Sequence, residues 1–350
     1  MFNNLIHEMK PFDLSKNDKE DFFLKNIIDL ERHHRSNCKE YNNIIKKNIK
    51  KNIKTIEDFT FLPASIFKYL NLKSINEKKV YRNLNSSGTT NKNVSKIFLD
   101  KLTSLSQTKS LINIVNNFIG NKRFPMIIIE KKNLKNNVNN INASTAAIKG
   151  FSIFGCDYFY LLNEDLSIDY EGLTKFINKH KSNCFLIFGF TYMVWKHFVL
   201  KLKPINLKNS ILIHGGGWKK LIDEKVSNNV FKKKIEKKFK LNRIHNYYGM
   251  VEQTGSIYME CEIGERFHVS NYSEIIIRDI NFKKLNINEL GLIQSLSILP
   301  KSYPGHNLLT EDLGMLLGED DCPCGRKGKY FKVIGRLQKS EVRGCSDTIA

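Results

Sequence analysis

Asn85-Ser86-Ser87-Gly88-Thr89-Thr90-Asn91-Lys92 is the stretch on which the reading of this 350-residue chain turns. It packs four hydroxyls, one glycine and a lysine between a strand-like piece, Val80 to Leu84, and an amphipathic segment from Val94. A loop of this make-up offers backbone N–H groups, hydroxyls and a cation to a triphosphate. It is not the G-x-x-x-x-G-K-[ST] loop, because the second glycine and the Lys-[Ser/Thr] pair are missing. Taken alone it is equally a turn, since Ser, Thr and Gly are turn residues. The order of what surrounds it decides between the two.

Upstream, residues 1–75 read as a helical arm. Phe22, Phe23, Ile27, Ile28 and Leu30 fall at helical spacing, Phe59-Thr60-Phe61-Leu62-Pro63 interrupts, and Ala64 to Leu70 resumes. Downstream, to about residue 260, strand-like runs alternate with helical ones. Met126-Ile127-Ile128-Ile129, Phe185-Leu186-Ile187-Phe188 and Ile211-Leu212-Ile213-His214 are short, apolar and bounded by polar or Gly/Pro residues, as buried strands are. Thr103 to Phe118, Tyr170 to Lys181, Thr191 to Leu202 and Trp218 to Leu241 read as helices. The alternation predicts an α/β nucleotide-binding core over 76–260 with a mainly parallel sheet. Over 261–350 the strands shorten, as in Glu274–Arg278 and Leu292–Leu296, and glycines gather from Gly305 to Gly344. This reads as a β-rich subdomain closing over the core.

Lysine and arginine outnumber the acids 56 to 35, for a formal net charge of +21. The lysines are spread along the chain and fall on solvated helix faces, so the excess does not by itself make a nucleic-acid site, although its field draws anionic substrates such as nucleotides. No apolar run spans a bilayer; Cys184 to Trp195 is the longest candidate and reads as core. The first residues lack a basic start followed by an apolar run, so a cytoplasmic protein without a membrane span is expected. Seven cysteines in such a chain argue against a disulfide framework.

Four further motifs follow the hydroxyl-rich loop in order. His214-Gly215-Gly216-Gly217-Trp218-Lys219 runs a strand into three glycines, which let backbone approach a flat ligand or a phosphate. Tyr247-Tyr248-Gly249-Met250-Val251-Glu252 puts an aromatic ring beside a glycine, suited to a purine, and a carboxylate suited to phosphate-bound Mg²⁺. Thr310-Glu311-Asp312-Leu313-Gly314 sets acids in an expected loop, where a carboxylate accepts from ribose hydroxyls. Gly335-Arg336, Lys339 and Arg343-Gly344 close the series.

In that order the motifs resemble the adenylate-forming superfamily of acyl-CoA synthetases and luciferase-like ligases, and more closely the LuxE-type acyl-protein synthetases (long-chain-fatty-acid–protein ligases). Tyr248 to Gly255, His214 to Lys219 and the tail Arg343-Gly344-Cys345-Ser346-Asp347 carry the likeness, which covers the chain from about Phe59. The resemblance implies the large domain of that fold, with the small C-terminal domain absent or vestigial, and ATP with Mg²⁺ as cofactors. Ser86, Ser87, Gly88, Thr89 and Thr90 would cradle the phosphates. Gly215, Gly216 and Gly217 would border the adenine, with Tyr248 and Gly249 beside the nucleotide. Glu252 would hold Mg²⁺, Asp312 would bind the ribose with Arg336 close by, and Lys339 would be the hinge. The chain ends about a dozen residues after Gly335-Arg336, so the catalytic lysine of larger ligases has no counterpart, and Lys92 or Lys219 would assist instead.

The resemblance also gives Cys345, six residues from the end counted inclusively, the role of acyl acceptor. A thiolate can take an acyl group from a mixed anhydride, and nearby arginines and a lysine would favour that thiolate. The other reading of Cys345 is an idle thiol on a frayed tail. Cys261 with His268, and Cys322 with Cys324, supply the donors of a closed Cys₃His structural zinc site; the competing reading is a tight turn with two reduced thiols. The function the resemblance implies is ATP-dependent activation of a carboxylic acid, a fatty acid in that family, and its transfer to Cys345, for delivery to an acyl reductase or acyl carrier partner. The alternatives are a CoA ligase of the phenylacetate-ligase type, a basic nucleic-acid-binding protein, and an inactive scaffold of a reductase complex.

Overall fold

The computed structural model describes residues 8–46, 53–86, 94–132, 140–180, 184–218 and 226–337. The chain opens with helices α1 (Lys16–Asn37) and α2 (Lys39–Ile45). Phe23, Ile27, Leu30 and His34 form the buried stripe of α1, the i, i+4, i+7, i+11 spacing of one helix face. The rest of the expected helical arm is different. Residues 56–58, 64–68 and 77–79 are single 3₁₀ turns, and Leu62–Pro63 forms a short strand, β1. Pro63 has no N–H to carry a helix through this point, and the segment pairs with the sheet instead.

Strands β2 (Arg82–Asn85) and β3 (Lys96–Leu99) flank the hydroxyl-rich loop, and β5 (Asn140–Asn142) pairs with β2 in a small three-stranded sheet. Between them lie α3 (Lys101–Ile119) and β4 (Phe124–Lys131). Asp100 caps α3 by accepting from Thr103 N at 2.7 Å, and Gly120, at φ 88°, ends it.

Next come α4 (Ala143–Ser152), β6 (Gly155–Leu162), α5 (Tyr170–Lys179), β7 (Leu186–Phe190), β8 (Ile211–Gly215), α6 (Asn228–Phe239) and β9 (Arg243–Tyr248). Strands β6-β4-β7-β8-β9 are parallel neighbours in that order. Every residue of β7 and β8 is buried, as expected for strands covered on both faces. Each such aliphatic side chain contributes about 1.5–3 kcal/mol through burial.

Two expected helices are altered. Thr191–Met193 begins as α-helix and continues as π-helix over Val194–Val199. Trp218 is not helical, and α6 starts only where Ser227 accepts from Val230 N.

The sheet does not stop at β9. Antiparallel strands β10 (Tyr258–Glu260) and β11 (Phe267–His268) extend it, followed by β15 (Lys329–Arg336), β14 (Asn307–Glu319), β13 (Gly291–Ser297) and β12 (Ser273–Arg278). The β-rich part therefore continues the parallel sheet laterally, and β1 joins it beside β14. Helix α1 packs onto this part through a buried Lys19–Glu274 ion pair at 3.5 Å, with Lys329 on the other carboxylate oxygen at 3.2 Å. None of the described helices is long and apolar enough to cross a membrane.

Candidate active site

In a parallel sheet the C-terminal strand ends form the ligand crevice. Here β8 runs into Gly215-Gly216-Gly217, and its neighbour β9 ends at Tyr247-Tyr248. The three glycines have different physical reasons. Gly215 pairs with Tyr247, and a Cβ on it would collide with the Tyr247 ring. Gly216 is left-handed at φ 77°, and Gly217 faces open space. Two of the three thus leave room for a flat ligand, while the first serves packing.

Thr191, the first residue after β7, holds this turn. Its hydroxyl donates to Gly215 O at 3.1 Å and accepts from His214 Nδ1 at 3.0 Å. His214 is buried, and its Nε2 has no partner among the described residues. Burial, with help from the Lys232 and His245 charges, holds its pKa down to about 3, so the ring is neutral.

Tyr248 reaches across to β14, where its phenol donates to Asp312 Oδ2 at 2.8 Å. Arg336 Nε donates to Asp312 Oδ1, also at 2.8 Å. Asp312 and Arg336 are cross-strand partners, so Asp312 belongs to a thirteen-residue strand rather than to the expected loop. Burial, then the Asp312 charge, pushes the Tyr248 phenol well above its usual range. It remains a donor.

Glu252 sits on the 3₁₀ turn Val251–Gln253. Tyr303 donates its hydroxyl to Glu252 O at 2.9 Å, and Gln253 Nε2 donates to Ser295 O and Gly305 O at 2.9 and 2.8 Å. A Cβ at Gly305 would come within 2.7 Å of Glu252 O. The turn is therefore fixed from below. The residue keeps some exposure, yet desolvation dominates its carboxyl and raises its pKa, against Ser95, Lys68 and Arg336, which favour the ionised form. Ser95 in turn closes the base of the hydroxyl-rich loop: Ser86 Oγ accepts from Ser95 N at 2.9 Å and Ser95 O accepts from Ser86 N at 3.0 Å. The loop thus springs from a point beside Glu252.

The sequence matches the family model for acyl-protein synthetase, LuxE, over residues 1–350. The chain belongs to the acyl-protein synthetase family. It is 24% identical over 364 residues to the long-chain-fatty-acid–luciferin-component ligase of Aliivibrio fischeri, covering 99% of this chain and 93% of that protein. Its fold is similar to an open conformation of 2-hydroxyisobutyryl-CoA ligase in complex with 2-HIB-AMP and CoA, with a TM-score of 0.72 and 12% identity, over 94% of this chain and 77% of that one. The luciferase-like enzyme of the mealworm Zophobas morio also resembles it, with a TM-score of 0.51 and 16% identity, over 76% of this chain and 60% of that one. The chain thus shares the fold of these neighbours, and its family is one of ligases.

Of the expected site residues of this acyl-protein synthetase, Ser86, Gly215, Gly216, Gly217, Tyr248, Gly249, Glu252, Asp312 and Arg336 lie on the crevice elements just described. Ser87, Gly88, Thr89, Thr90, Lys92, Lys219, Lys339 and Cys345 lie outside the described residues. Sequence reasoning missed Thr191, Ser95, Gln253 and Tyr303, which act through contacts between distant elements. Gln253, directly after Glu252, carried the only sequence signal. Away from the crevice, Cys261, His268, Cys322 and Cys324 come together, with their four donor atoms all within 4.8 Å of one another.

Proposed function

We propose that this acyl-protein synthetase joins a carboxylic acid to AMP and then passes the acyl group to a thiol. The observation that carries this reading is the convergence of Tyr248, Asp312, Arg336 and Glu252 around the end of β9 in a chain of this family. An oxygen of the substrate carboxylate attacks the α-phosphorus of ATP. The bond from that phosphorus to the bridging oxygen breaks, and pyrophosphate leaves with the electron pair. Asp312 uses one lone pair on each oxygen for Tyr248 and Arg336, which leaves others for the ribose hydroxyls. Gly216 and Gly217 give the adenine backbone to lie against. The hydroxyl-rich stretch Ser86 to Thr90, with Lys92, is assigned to the phosphates by its composition and by its place after β2. Glu252 would hold Mg²⁺, which would supply charge neutralisation at the phosphates.

In the second step the Cys345 thiolate, its proton lost to solvent, attacks the acyl carbonyl. The carbon–oxygen bond to AMP breaks and a protein thioester forms. The acid is a long-chain fatty acid, by analogy with the name of the Aliivibrio relative, and an acyl reductase or acyl carrier receives it. Pyrophosphate release, measured with ATP, Mg²⁺ and short- to long-chain acids, tests the first step. One acid class should support release, and Glu252→Gln should lower it by on the order of 100-fold. No release above the ATP blank with any acid would overturn the reading.

A further inference from the structure

The thiol–imidazole cluster lies where two hairpin ends meet. Cys261 follows β10, and Gly264, at φ 87°, turns the chain so that His268 ends β11. Cys322 and Cys324 stand in the turn between β14 and β15, which closes through Gly325 N to Cys322 O at 3.0 Å with Gly325 at φ 82°. Pairing of β11 with β15, His268 opposite Tyr330, brings the two ends together. Cys261, His268 and Cys322 are buried and Cys324 is half-buried.

The spacing of the donors is that of a coordination shell. Zn–S bonds of about 2.3 Å and Zn–N bonds of about 2.0–2.1 Å in a tetrahedron put ligand atoms roughly 3.3–3.8 Å apart. Cys261 Sγ to Cys322 Sγ is 3.9 Å, and Cys324 Sγ to His268 Nε2 is 3.3 Å. A disulfide needs sulfurs at about 2.05 Å, so the cluster is not a bonded pair. Three thiolates around a dication leave one net negative charge. Arg266 donates to Cys322 Sγ at 3.6 Å, and Arg326 lies beside Cys324 while paired to Glu262. The His268 ring is packed near those of Phe12 and Tyr330, and its Nδ1 has no partner among the described residues.

We propose that Cys261, His268, Cys322 and Cys324 bind one Zn²⁺ in a closed structural site. All four positions are filled by protein, so the ion holds no open coordination position for substrate. It fastens the far ends of two hairpins that carry the crevice residues. Tyr258 of β10 pairs with Tyr248, and β14 and β15 carry Asp312 opposite Arg336.

The test is metal content of the full-length protein, produced with zinc in the medium and purified without chelators. One zinc per chain is expected, lost from Cys322→Ser/Cys324→Ser and kept in Cys156→Ser, whose thiol is exposed. Because the double variant can fail to fold, the wild type is also stripped with a chelator. Its melting temperature should fall and return on adding Zn²⁺, and Co²⁺ in its place should give the absorption of a tetrahedral thiolate site. Far less than one zinc per chain, zinc retained by the double variant, or a melting temperature indifferent to the chelator would each overturn the proposal.

Discussion

Tyr248 donates its phenol to Asp312 Oδ2 at 2.8 Å, across 64 residues of sequence, while Arg336 holds the other oxygen at the same distance. One carboxylate is thus oriented from two strands, with lone pairs left over. If these serve the ribose, Asp312→Ala raises the KM for ATP by about 10- to 100-fold, the cost of a charge-assisted hydrogen bond or two. Tyr248→Phe leaves Arg336 in place and costs about 1 kcal/mol, near fivefold. Steady-state kinetics with ATP varied at saturating acid check both; an unchanged KM in Asp312→Ala would remove the ribose role.

The three glycines after β8 should separate by readout. Gly215→Ala drives a Cβ into the Tyr247 ring and loses about 1–3 kcal/mol of stability through overpacking. Gly216→Ala, at φ 77°, costs about 1–2 kcal/mol of left-handed strain. Gly217→Ala meets nothing within 4 Å, so its melting temperature should match wild type while its KM for ATP rises. A Gly217→Ala protein with normal ATP kinetics would mean the adenine lies elsewhere.

His214 predicts a specific acid sensitivity. Its native pKa of about 3 lies below the roughly 6.5 of an unfolded imidazole. Between those values the unfolded chain takes up a proton that the native state refuses. Its contribution to stability is therefore full above about pH 6.5 and is lost as pH falls, by up to about 1.4 kcal/mol per pH unit. Other buried imidazoles and carboxylates add to the wild-type slope. Urea unfolding of wild type and His214→Gln between pH 6.5 and 4.5 isolates this one, and the variant should show the shallower slope. Parallel slopes would show that His214 takes up its proton as readily in the native state as in the unfolded one.

How much of this was legible in the sequence depended on whether the signal was local. Strands β4, β7 and β8 were readable because buried parallel strands are unbroken apolar runs, and the order of motifs pointed to the family. Asp312 looked like a loop residue because acids and a glycine surround it, but β14 is an antiparallel strand that carries polar residues on a partly exposed face. Ala64 to Leu70 has helical spacing too short to tell an α-helix from the 3₁₀ turn that forms over Ala64–Lys68. The Thr191–His214 bond depends on the register of β7 and β8, which pairs Gly189 with His214 and Phe190 with Gly215, and no single-chain pattern reports register. The Cys/His residues were visible as donors, yet only the β11–β15 pairing joins them.

Activation that ends on a thiol of the protein itself leaves a covalent mark. Intact-mass spectrometry after incubation with ATP, Mg²⁺ and an acid that supports pyrophosphate release tests it most directly, with Cys345→Ser alongside. An acyl mass is expected on wild type, removed by hydroxylamine and absent from the variant. Pyrophosphate release with no adduct on wild type, or an equal adduct on Cys345→Ser, would contradict it.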